Sequence, residues 1–76
     1  SDTSPDRQAA MADDIRCLEQ ALGRLPAAER EVVLLRMKEE FTFREIAAMT
    51  GCPLGTALGR MRNALKRLRR MLESER

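Results

Sequence analysis

Residues 43–70 read FREIAAMTGCPLGTALGRMRNALKRLRR, and this stretch decides the fold. Thr42 stands just before it and Glu45 follows three residues later, the spacing of a capping box that starts a helix. Phe43, Ile46, Ala47 and Met49 give that helix an inner face, and Gly51 supplies the left-handed residue that ends it. Pro53 then opens a long helix running to about Leu72. At about 100° per residue, Leu54, Ala57, Met61, Leu65, Leu68 and Leu72 fall on one side of it. Thr56, Gly59, Arg62, Asn63, Lys66, Arg67 and Arg70 fall on the other, with Leu58 at the boundary. A short helix, a glycine turn and a long basic helix make a helix-turn-helix, whose second helix enters a DNA groove.

Two further helices precede this unit. Ser4 and Pro5 mark a start, with serine capping and proline at the first helical position. Met11, Ile15, Leu18, Leu22 and Leu25 recur at four- and three-residue intervals, one apolar stripe on a helix ending near Gly23. Pro26 fits the first turn of a second helix running to about Lys38, with Glu29 and Glu31 near its positive end. Val32, Val33, Leu35 and Met37 supply its buried side, and Leu34 widens the stripe. The expectation is an all-α, four-helix domain over residues 5–72 with a C-terminal helix-turn-helix. Residues 1–4 are a disordered tail and residues 73–76 a frayed end. Ile15, Leu18, Leu22, Leu25, Val33 and Met37 are expected in the core.

Composition agrees with helices. The chain has 76 residues, two Phe and no Tyr or Trp, so its core must be aliphatic. The net charge of +2 is unevenly placed. Residues 1–50 carry seven basic and ten acidic side chains, whereas residues 51–76 carry seven basic and two acidic ones. A basic back half suits a polyanion, although a solvated charged helix has the same composition. Cys17 and Cys52, with no His in the chain, cannot complete a four-ligand zinc site. Reduced thiols and the absence of a signal peptide give a cytoplasmic expectation. No apolar run approaches the about 18 residues of a membrane span. No metal, cofactor or enzymatic constellation is expected: there is no His, no phosphate loop after a strand, and no paired acid and nucleophile.

The chemistry of the long helix suits DNA. Ala47, four residues before Gly51, lets the two helices cross closely. The first turn, from Leu54 through Gly55 to Thr56, then points at the groove with free N–H groups that favour a phosphate. Thr56 can hydrogen-bond a phosphate or a base edge. Arg60, Arg62 and Asn63 can reach bases or backbone, Arg preferring guanine and Asn adenine. Lys66, Arg67 and Arg70 lie a turn or more further on and suit phosphates. The alternatives are a plain helical bundle with one basic amphipathic helix, or a helix for a membrane surface or a partner groove.

The segment from Ala21 to Leu72 resembles region 4 of bacterial sigma factors, especially the extracytoplasmic-function group. The matching words are ALGRLPAAEREVVLLR at 21–36, TFREIA at 42–47, and GCPLGT with Arg60 over 51–60. The resemblance implies a four-helix domain that reads the minus-35 promoter element in the major groove and docks on the flap of the RNA polymerase β subunit. An anti-sigma factor is a third partner the resemblance implies. It also implies a C-terminal domain excised from a longer chain, with a stand-alone sigma-like protein as the alternative, since region 2 has no counterpart here. Any of the expected core residues of the first two helices left exposed would form the groove for the flap.

This chain departs from the family where the family usually continues Gly-Thr with Val, two polar residues and Arg. Here Ala57, Leu58, Gly59 and Arg60 follow. Leu58 can meet a thymine methyl, and Gly59 can allow close backbone approach at a helix cost of about 0.5–1 kcal/mol. The same substitutions suit a second reading, a sigma-like module that binds an anti-sigma factor without sequence-specific DNA binding.

Overall fold

Proline and glycine set the helix boundaries. The computed structural model describes residues 5–74, with side chains from residue 14 onward. It forms α1 (Pro5–Gly23), α2 (Ala27–Met37), α3 (Phe43–Thr50) and α4 (Leu54–Ser74). Among the described residues there is no strand, and the all-α expectation holds. The tail at residues 1–4 with its Ser4 cap, the side chain of Met11, and residues 75 and 76 lie outside the described residues.

Pro26 sits one position before α2 and not within its first turn. Its extended ψ of 145° aims its carbonyl along the helix. That oxygen accepts the Arg30 N–H at 2.9 Å. α2 ends at Met37, where the N–H groups of Lys38 and Glu39 both return to the Leu34 carbonyl. Glu40 takes a left-handed φ of 60°, and the Phe41 N–H reaches the Leu35 carbonyl at 3.1 Å. Arg36 bolts this corner to α3: its Nη1 donates to the Phe41 carbonyl at 3.1 Å and its guanidinium lies 5.2 Å from the centre of the Phe43 ring.

α3 begins with the expected capping box. The Glu45 N–H donates to Thr42 Oγ1 at 3.1 Å, and the Thr42 N–H donates to Glu45 Oε1 at 2.9 Å. It ends on Gly51, with φ 68° and ψ 34°. The Cys52 N–H returns to the Ala47 carbonyl and the Gly51 N–H to that of Ala48, the paired bonds of a Schellman turn. Pro53 is the last residue before α4, and its carbonyl accepts from Thr56 and Ala57. α4 runs to Ser74, two residues past the expected end at Leu72, and Ser74 Oγ donates to the Met71 carbonyl at 2.9 Å.

α4 packs against each of the other three helices. Its buried edge is Ala57, Met61, Ala64 and Leu68, joined by Ile46 and Ala47 of α3, Val32 and Val33 of α2, and Ala21 and Leu25. Several expected core positions are not in it. Leu65 is 52% exposed and Leu54 lies at the surface, because Ala64, one residue from Leu65, occupies the line of contact. Met49 and Met37 are 54% and 68% exposed, each turned aside on its helix from the buried pairs Ile46–Ala47 and Val32–Val33. Ile15 and Leu18 also remain exposed, whereas Ala21 is buried and Leu22 packs against the core.

The capping box has a pH signature. The Thr42 backbone N–H first, and its hydroxyl second, hold the Glu45 carboxyl below its ordinary value of 4.5. A lowered folded value adds stability that is fully present above the ordinary value and lost as pH falls through the folded one. Thermal melts of wild type and Glu45→Gln should therefore differ at neutral pH and converge as the pH drops below 4.5. Thr42→Ala should cost about 1 kcal/mol at neutral pH.

Candidate nucleic-acid interface

The candidate surface is assembled by α3, the Gly51–Pro53 turn and the first half of α4. Ala47 and Ala57 are both buried, so the two helices meet through small side chains as the spacing requires. Thr50 tightens the end of α3, its Oγ1 donating to the Ile46 carbonyl at 2.7 Å and lying 3.3 Å from Cys52 Sγ. Both cysteines are free. The first turn of α4 holds no acidic residue, so its positive end is open to an anion.

The predicted residues occupy the outward side of α4. Leu54, Gly55, Thr56 and Leu58 are exposed, Gly59 and Arg60 half-buried, and Arg62 and Asn63 exposed. Further along, Asn63, Lys66, Arg67 and Arg70 line a cleft of about 190 Å³. One member of this set has another partner. Arg67 Nε lies 3.2 Å from Glu29 Oε1. Glu29 stands in the first turn of α2 as the sequence reading has it, and it lies on the inner side of the helix with Val32 and Val33, buried. Its Oε1 is fully shielded and accepts no aligned hydrogen bond, so its contact with Arg67 is an ion pair by proximity. Arg67 remains 56% exposed, with most of its guanidinium on the basic face.

Two exposed cations of these helices lie outside the predicted set. Arg69 is exposed seven residues after Arg62, so it shares that residue's face. Arg44 is exposed in the first turn of α3. As one cation in a half with ten acidic residues, it carries no compositional signal.

On another side, α1, α2 and α4 leave an apolar groove of about 330 Å³. Leu18, Leu22, Leu34, Met37 and Leu65 line it, with Val33 and Leu68 at its floor. No helix among the described residues is long and apolar enough to cross a membrane. Among these residues no group of three or more His, Cys, Asp or Glu is placed to hold a metal ion.

A four-helix domain with a helix-turn-helix, a basic outward face and an apolar groove is the form of a DNA-binding module. The family model for sigma-70, region 4 matches residues 15–68, and the chain belongs to that family. It is 41% identical over 70 residues to the ECF RNA polymerase sigma factor RpoE of Cereibacter sphaeroides, covering 90% of this chain and 39% of that protein. It is 32% identical over 69 residues to the ECF RNA polymerase sigma factors SigD of Mycobacterium bovis and Mycobacterium tuberculosis, covering 91% of this chain and 32% of each. The chain therefore spans well under half the length of these relatives.

The ion pair between α2 and α4 makes a stability prediction. Arg67→Ala would leave Glu29 shielded and without its cation. Water screens a pair that is half exposed on one side, so the expected loss is about 1 kcal/mol, below the roughly 3–5 kcal/mol of a fully buried pair. In a Glu29→Gln background the same substitution should cost less. Urea denaturation of the four proteins in a double-mutant cycle measures the difference.

Proposed function

We propose that this domain recognises promoter DNA at the minus-35 element, as the C-terminal domain of an RNA polymerase sigma factor acting in transcription initiation. The observation that carries the proposal is the α3–turn–α4 unit. Its left-handed Gly51 and buried Ala47 and Ala57 set outward from the core a basic helix with no acidic residue before Glu73. Placed in a major groove, Thr56, Arg60, Arg62 and Asn63 serve base edges or nearby phosphates. Lys66, Arg67 and Arg70 serve the backbone, with Arg44 and Arg69 adding charge. The role is binding and not catalysis, and its place is the cytoplasm, where the polymerase works.

The apolar groove supports a second contact. An amphipathic helix laid in a groove is anchored by apolar residues at helical spacing. Leu18, Leu34, Met37 and Leu65 offer such a seat, and the flap of the polymerase β subunit is its proposed occupant. An anti-sigma factor would compete for either surface.

A variant with Thr56, Arg60 and Lys66 all replaced by Ala should lose about 100-fold or more in affinity for a selected duplex, with a shallower salt dependence. Fluorescence anisotropy at several salt concentrations measures both. Unchanged affinity would remove α4 as the reader and leave a protein-binding module. Met37→Asp with Leu65→Asp should leave DNA affinity intact and weaken binding to polymerase core in a pull-down with purified components.

A further inference from the structure

The first two turns of α4 repeat a leucine–glycine pair, Leu54-Gly55 and Leu58-Gly59. At about 100° per residue, Gly55 and Gly59 share the middle of the outward face, with Leu58 on one flank and Thr56 on the other. Nothing inside the protein calls for either glycine, because a Cβ added at Gly55 or Gly59 would meet no atom within 4 Å. Leu58 is equally unexplained by packing. It is 43% exposed, while the buried edge of the same helix runs through Ala57, Met61, Ala64 and Leu68. It is not part of the apolar groove either, whose lining on α4 is Leu65 and Leu68. Leu58 is thus an exposed branched aliphatic side chain on the half of the helix that a helix-turn-helix inserts into DNA.

We infer that Leu58 is a specificity residue that selects thymine through its C5-methyl group, with the bare strip at Gly55 and Gly59 letting the helix backbone sink close to the base edges. The inference rests on the promoter-reading proposal and adds to it the base that this chain selects. In the major groove thymine alone of the four bases presents a methyl group, and an apolar side chain is its natural partner. A helix with long polar side chains at these positions stands off the bases and reads hydrogen-bonding edges. With side-chain-free positions, the backbone comes nearer and the Leu58 methyl groups reach the floor of the groove. The six basic residues from Arg60 to Arg70 supply the charge that holds the helix there.

The test isolates the methyl group. A duplex is first selected from a randomised pool with the wild-type domain. Each thymine of the selected site is then replaced, one at a time, by uracil, which pairs identically and lacks only that methyl. Wild type should lose about three- to tenfold in affinity at one or two of these positions. Leu58→Ala should bind the all-thymine site more weakly by a similar factor and be indifferent to uracil at one of them. Leu58→Met, which keeps an apolar reach, should retain the sensitivity. The exposure of Leu58 means these variants should keep the wild-type melting temperature, which controls for folding. Selection of a defined site that tolerates uracil at every position would overturn the inference and leave promoter reading standing. A pool that yields no preferred sequence would remove both.

Discussion

Everything in this domain depends on the burial of one edge of α4. Ala57 and Ala64 have no exposed surface, and Met61 and Leu68 beside them are nearly as enclosed. α4 is also the helix against which each of the others packs. Alanine at two of the four contact positions leaves room for the helix axes to approach closely. A larger residue at either site would push α3 or α2 away and with it the angle at which the helix presents its outward face. The same helix supplies core, reading face and one wall of the groove, so its orientation couples all three.

The sequence made the helices legible because each boundary is marked by local chemistry. The Thr42–Glu45 box, the left-handed Gly51 and the prolines at 26 and 53 act within one turn of themselves and need no tertiary information. Tertiary choices were less legible. Period alone assigns Leu65 to the inner face of α4, yet Ala64 is the residue that is fully buried. Met37 and Met49 fit an apolar stripe, but each lies to the side of the buried pair of its helix. Hydrophobicity sets which residues can be buried, and crossing geometry decides which are. Glu29 shows the converse, a carboxylate placed inside because its position on α2 faces α4 and Arg67 reaches over to meet it.

For the site, the cations of α4 were legible from their concentration on one helix whose first acidic residue is Glu73. Arg44 was not, because a lone cation among acidic neighbours has no compositional signal. Its exposure in the first turn of α3 follows only from the fold. The groove was legible only as a conditional. Leu18, Leu34, Met37 and Leu65 look like core residues in a list, and their exposure is decided by how far α1 and α2 are from closing over α4.

That unfinished closure has an energetic consequence. A chain of this size buries only about 60% of its unfolded surface, so its stability is thin. Leaving several large aliphatic side chains part-exposed on one surface forgoes a fraction of the about 1.5–3 kcal/mol that full burial of each contributes. A helix seated in the groove would recover part of this, and through mass action its binding would stabilise the whole domain. α4 forms a wall of that groove through Leu65 and Leu68, and the same helix carries Thr56 and Leu58 in its first turns.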